Sequence, residues 1–91
     1  MNYTQSEKQR IYETDIQGFL RYKYGYEFEY YYSELRAKGG GGIVIEPEKD
    51  NMWYHHSLGV GGYGCFQWLK KVEGYSNVEI YDCLAEYNNL S

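Results

Sequence analysis

Tyr12, Ile16, Phe19 and Leu20, with the stem of Lys23, recur at the three-to-four spacing of one helix face. Thr4-Gln5-Ser6-Glu7 ahead of them fits a capping box, in which a hydroxyl and a carboxylate satisfy the orphan amides of a helix start. A helix is therefore expected from about Thr4, ended by Gly25 in the left-handed conformation. Thr14-Asp15 offers a second reading, a cap that divides this stretch into two shorter helices, and Gly18 fits either a kink or close packing. From Tyr26 the period drops to two. Tyr26, Phe28, Tyr30 and Tyr32 fall on one side and Glu27, Glu29 and Tyr31 on the other, which predicts a strand.

Gly39-Gly40-Gly41-Gly42 predicts a flexible hairpin tip, followed by the β-branched strand Ile43-Val44-Ile45. Pro47 ends that strand, Glu48-Lys49-Asp50-Asn51 makes a turn, and Met52-Trp53-Tyr54-His55-His56 reads as the next strand. Gly59, Gly61, Gly62 and Gly64 read as a second loop. Cys65, Phe66, Leu69 and Val72 then mark a helix ended near Gly74. Ser76-Asn77-Val78-Glu79 is another capping box, and it opens a last helix with Ile80, Leu84 and Tyr87 on its inner face. The expected fold is α+β: an N-terminal helix, an antiparallel meander of about three or four strands and two C-terminal helices, all in a single domain over residues 1–91.

Composition sharpens this picture. The chain is 43% hydrophobic and 20% aromatic, with 13 Tyr, which excludes a disordered tail and predicts a packed core. No apolar run approaches the roughly 18 residues of a membrane span, and the polar N-terminal stretch does not resemble a signal peptide, so a cytoplasmic protein without a membrane partner is expected. Net charge is −4, and the imbalance is local: residues 1–45 balance six bases against six acids, whereas 46–91 carry three bases and seven acids. A domain that grips phosphates through its own field is normally basic, so tight autonomous nucleic-acid binding is disfavoured.

Candidate chemistry is sparse. Gly59-Val60-Gly61-Gly62-Tyr63-Gly64 lacks the glycine spacing of a dinucleotide loop and the Lys-Ser/Thr of a phosphate loop, so a plain tight turn is expected there. His55 and His56 are neighbours on a strand and point to opposite faces, which makes chelation of one ion awkward. No cofactor is expected; zinc, if held, falls to His55, His56 and Cys65, and these three also define the small hydrolase or metalloenzyme alternative. Cys65 and Cys83 read as free buried thiols. The unusual feature is the tyrosine surplus. Alternation forbids Tyr30, Tyr31 and Tyr32 from all entering the core, and those left outside suit a protein interface, since Tyr combines large contact area with few rotors. Partner contact is assigned to Tyr30, Tyr31, Tyr32 and Trp53 with the acidic Glu73, Glu79, Asp82 and Glu86. Tyr30, Tyr32, Trp53 and Lys70-Lys71 form the alternative set for a single-stranded nucleic acid.

The stretch Ile43-Val44-Ile45-Glu46-Pro47-Glu48-Lys49, Trp53-Tyr54-His55-His56-Ser57, Gly61-Gly62, Phe66-Gln67-Trp68-Leu69 and Glu73-Gly74-Tyr75-Ser76 resembles the zinc-ribbon domain at the front of bacterial DNA primases. It is closest to the zinc-less form found in proteins of plasmids, transposons and phages, over about residues 43–88. The chain departs from the ribbon in having neither Cys nor His before His55, and Leu58 or Gly59 stands at one position of the second ligand pair. The resemblance therefore implies a mobile-element protein without the family's zinc and without a polymerase domain. The expectation is a non-enzymatic inhibitor or adaptor that docks on a nucleic-acid-handling machine, in the manner of phage anti-CRISPR proteins that block an RNA-guided nuclease. A CRISPR effector nuclease is the implied protein partner, and a primase-related accessory module that binds single strands is the alternative.

Overall fold

In the computed structural model, which describes residues 2–39 and 41–90, nine elements follow the expected α+β order. Helices α1 (Gln5–Tyr12) and α2 (Ile16–Tyr24) precede strands β1 (Phe28–Tyr31), β2 (Glu34–Ala37), β3 (Ile43–Glu46), β4 (Met52–His55) and β5 (Val60–Tyr63), and helices α3 (Gly64–Lys71) and α4 (Asn77–Tyr87) close the chain. Both capping boxes form, Thr4 with Glu7 and Ser76 with Glu79. Gly25 ends α2 at φ 74°.

The N-terminal region is two helices rather than one. Asp15 accepts the Gly18 amide at 2.7 Å and starts α2 afresh, while Thr14 turns its hydroxyl back onto the Ile11 carbonyl at 2.8 Å. Asn88 then donates to the Thr14 oxygen at 2.9 Å, which anchors the end of α4 on this break. Gly18 serves close packing: a Cβ there would lie 2.8 Å from the Tyr87 hydroxyl.

The strands form one antiparallel meander in sequential order β1-β2-β3-β4-β5. It is one strand longer than expected at the upper bound. The predicted Tyr26–Tyr32 strand is shorter, because a turn at Tyr32-Ser33 folds Glu34–Ala37 back as β2. The predicted glycine loop near Gly61 is strand β5, paired with β4 through Trp53↔Gly62 and Tyr54↔Gly61. Gly40 of the expected hairpin tip lies outside the described residues.

Side-chain alternation gives the sheet two faces. Leu35, Ile43, Ile45 and Trp53 point inward and are buried with Ile11, Ile16, Phe19, Leu20, Cys65, Trp68, Leu69, Ile80, Leu84 and Ala85 from the helices. The helices thus occupy one side, and among the described residues no helix covers the side that carries Glu29, Tyr31, Arg36, Val44, Tyr54 and Tyr63. Among the described residues no helix is long and apolar enough to cross a membrane.

Candidate functional site

The helix-free face is where the chain presents unused chemistry. Tyr54 on β4 stands opposite Gly61 on β5, and its ring lies over that glycine: a Cβ on Gly61 would sit 2.7 Å from the Tyr54 Cδ2. An aromatic ring over a strand glycine restores the contact that the missing side chain leaves out. Tyr63 follows on β5 opposite Met52, and both Tyr54 and Tyr63 remain about half exposed. Between them, over Val44, is a shallow slot of about 330 Å³.

Further along this face Arg36 lies over the Tyr31 ring, 4.0 Å from its centroid, and holds Glu34 at 2.7 Å. Lys49 holds Glu46 at 3.2 Å. The cations of the face are thus matched by carboxylates within the chain, leaving aromatic surface with little positive field for phosphate.

The residues singled out from the sequence are dispersed. Tyr31 belongs to the helix-free face. Tyr30, paired with Leu35, points to the helix side but lies beyond the helices and is 80% exposed. Tyr32 sits in the turn at φ 59° and is 91% exposed. Trp53 is a correction: it is 1% exposed, packed on Trp68, with its indole N–H donating to the Gly64 carbonyl at 3.0 Å, so it contacts no partner. The aromatic residue that β4 leaves exposed is Tyr54, the next residue on the strand. Alternation alone carried that signal, since one of two adjacent aromatic residues on a strand must face away from the core.

The acidic set lies with the helices, away from the tyrosine face, and much of it is engaged. Glu73 accepts from the Tyr24 hydroxyl, Asp82 from the Tyr3 hydroxyl, and Glu79 from the Ser76 amide. The two hydrogen bonds from Ser76 hold the Glu79 carboxyl below its ordinary value. Glu86 is exposed on α4. On α3, Lys70 donates to Asn77 and Lys71 to the Gly61 carbonyl, so the lysine pair expected to grip a nucleic-acid strand is directed at the chain itself.

His55 and His56 diverge as alternation requires. The His55 ring lies 5.8 Å from Trp68 on the helix side, with its Nδ1 buried and, among the described residues, without a hydrogen-bond partner, whereas the His56 ring lies 4.6 Å from Tyr54. The Cys65 thiol is buried against the Thr14 carbonyl, and burial, with smaller contributions from Asp15 and Cys83, pushes it far above the ordinary thiol range. A thiol held protonated is a poor nucleophile and a poor metal ligand. Among the described residues no three of His, Cys, Asp and Glu gather into a metal-holding group. Neither a family model nor a curated protein matches the chain.

Proposed function

We propose that this chain is a non-enzymatic binding module that docks through the helix-free face of its sheet onto a protein of a nucleic-acid-handling machine, acting as an inhibitor or adaptor. The observation that supports it is the open face itself: Tyr31, Tyr54 and Tyr63 lie exposed around Val44 and Met52, with Arg36 and Lys49 already paired to Glu34 and Glu46. Tyrosines around an apolar centre, with charge at the rim, are the composition of a protein interface. The primase-ribbon resemblance and the net charge of −4 favour a partner whose basic surface normally receives nucleic acid.

The most specific form of this reading is block of an RNA-guided nuclease. Co-expression with such nucleases is expected to protect a targeted plasmid from loss, and the purified chain to bind the nuclease with an affinity that falls as salt rises. Tyr54→Ser combined with Tyr63→Ser is expected to abolish both effects while the fold persists. Absence of protection across a panel of such nucleases removes the nuclease target. A gel shift of single-stranded DNA by micromolar protein at low salt, lost in the same double variant, would replace the protein partner with a nucleic acid.

A further inference from the structure

The two edges of the sheet are treated differently. On β5, the Gly64 amide bonds to the Asn51 carbonyl, which fixes Gly62 and Val60 as the positions bonded to β4 and leaves Gly61 and Tyr63 facing outward. Both outward positions are engaged: Lys71 Nζ donates to the Gly61 carbonyl at 2.9 Å, and the Tyr63 amide donates to Gln67 Oε1 at 2.9 Å. This edge is closed by its own helix, one of the devices by which proteins guard a free strand.

The β1 edge has no such guard. The Lys38 amide bonds to the Glu27 carbonyl at 2.8 Å, so Glu27, Glu29 and Tyr31 are the positions bonded to β2, and Phe28 and Tyr30 turn their N–H and C=O groups outward. Among the described residues no side chain meets these groups. The helix layer also stops short here, leaving a cleft of about 600 Å³ beside Tyr30 and Leu35, between Gln17 of α2 and Pro47 of the β3–β4 turn. Tyr30 is thus left uncovered on the helix side, 80% exposed.

Charge selects what is added. Glu27 faces Lys38 across the ladder, but the residue opposite Glu29 is Arg36, which is committed to Glu34; among the described residues Glu29 forms no ion pair. A second copy is a poor occupant: pairing Phe28 with Tyr30 of the other copy, the register centred on this edge, sets Glu29 directly against its own counterpart, and like charges so placed destabilise a sheet. We propose that the β1 edge receives an extended segment of a partner protein that sets a lysine or arginine opposite Glu29, flanked by apolar residues opposite Phe28 and Tyr30. Main-chain bonds to Phe28 and Tyr30 supply binding and the basic residue supplies selectivity, the mode known as strand addition. This site is separate from the face of Tyr54 and Tyr63 and does not depend on it.

The test uses the whole chain, isotope-labelled, and a capped peptide Thr-Val-Lys-Val-Thr at millimolar concentration. The peptide is expected to shift and protect the Phe28 and Tyr30 amides. A peptide with Glu in place of Lys should bind about three- to tenfold more weakly, the size expected when an attractive cross-strand pair becomes a repulsive one. Glu29→Lys should reverse that preference. Tyr30→Pro, which removes an outward N–H that β2 does not use, should abolish binding, whereas Tyr30→Ala keeps the N–H and part of the affinity. A lysine peptide N-methylated at both valines gives the same readout on the unaltered chain, and it should not bind. Equal affinity for the Lys and Glu peptides, shifts at β5 instead, no shift at all, or Phe28 and Tyr30 amides already protected by self-association would each overturn the proposal.

Discussion

Trp53 and Trp68 meet edge to face, their ring centroids 4.9 Å apart and their planes at 67°, and through this pair the sheet is fastened to α3. Both rings are fully buried, and each indole N–H has an acceptor: the Gly64 carbonyl for Trp53 and the Tyr24 hydroxyl for Trp68. The pair thus combines aromatic area with two satisfied donors, which fixes the angle between the layers as well as holding them together.

Trp53→Ala is therefore expected to cost about 3–5 kcal/mol, the range for emptying a large aromatic site. In a domain of this size that is a large share of the total stability. Trp53→Phe keeps most of the apolar area but gives up the bond to Gly64, at a cost of about 1 kcal/mol from the hydrogen bond plus a smaller repacking term. Urea denaturation followed by far-ultraviolet circular dichroism measures both. An unchanged midpoint for Trp53→Ala would return this residue to the surface.

Gly62 is the second element of the same junction. A Cβ there would come within 3.0 Å of the Trp53 ring and 2.6 Å of Gln67 Oε1, the oxygen that receives the Tyr63 amide. Gln67 can swing away, but the buried indole cannot move without shifting Trp68. Gly62→Ala is expected to cost about 1–3 kcal/mol by overpacking, measured by the same denaturation. Amide exchange at Tyr63 should also rise as its cap is displaced.

These contacts show why part of the fold was legible in the sequence and part was not. Helix ends are written locally: Thr4 with Glu7, Ser76 with Glu79, and Gly25 each act within a few residues, and all three are found where the pattern places them. Strand β5 is not local. Val60-Gly61-Gly62-Tyr63 has almost no intrinsic preference for a strand; it becomes one because β4 supplies a ladder, and because Trp53 and Tyr54 need the space that glycines leave. Strand β2 is hidden for a related reason: the turn at Tyr32-Ser33 has none of the Gly, Asn or Asp that normally mark a two-residue hairpin. As for the candidate site, Tyr31 was visible from alternation, but Tyr54 and Tyr63 needed the pairing partners that only the sheet reveals.

Tyr32 itself holds a φ of 59°, in the left-handed region that a side chain enters at a cost of about 1–2 kcal/mol. Its ring is exposed and touches Tyr31 edge-on, with no burial to offset that cost. Tyr32→Gly is expected to stabilise the fold by about 0.5–1 kcal/mol, the relief of strain being partly cancelled by the greater freedom of glycine in the unfolded chain. A raised thermal midpoint would mark Tyr32 as a residue kept at the expense of stability, and a lowered one would show that its contact with Tyr31 holds the hairpin.

Cys65 offers a check on the buried layer. With its thiol against the Thr14 carbonyl and held protonated by burial, it is expected to react with a thiol reagent such as Ellman's only through global opening, whereas the half-buried Cys83 reacts sooner. Two well-separated phases in native protein, merging in urea, are the expected record. Fast reaction of both thiols would place Cys65 at the surface.

The acid limit of stability tests the last helix. Glu79 accepts the Ser76 amide at 2.9 Å while the Ser76 hydroxyl accepts the Glu79 amide at 3.3 Å, and the hydrogen bonding that the carboxylate itself receives from Ser76, the backbone amide foremost, holds the Glu79 carboxyl below its ordinary value. A carboxyl lowered in the folded chain stabilises that chain above the unfolded pKa of about 4.3, and the stabilisation is lost as pH falls through the folded value beneath it. Glu79→Gln keeps a side chain able to close the capping box but removes the charge. At pH 7 the unaltered chain is therefore expected to be the more stable of the two, and the gap should close as pH drops below about 4.3. Ser76→Ala removes the cap at every pH, at a cost of about 1 kcal/mol. A gap between the unaltered chain and Glu79→Gln that stayed constant from neutral to acid pH would mean the carboxylate contributes nothing as an ion, and that the box works through hydrogen-bond geometry alone.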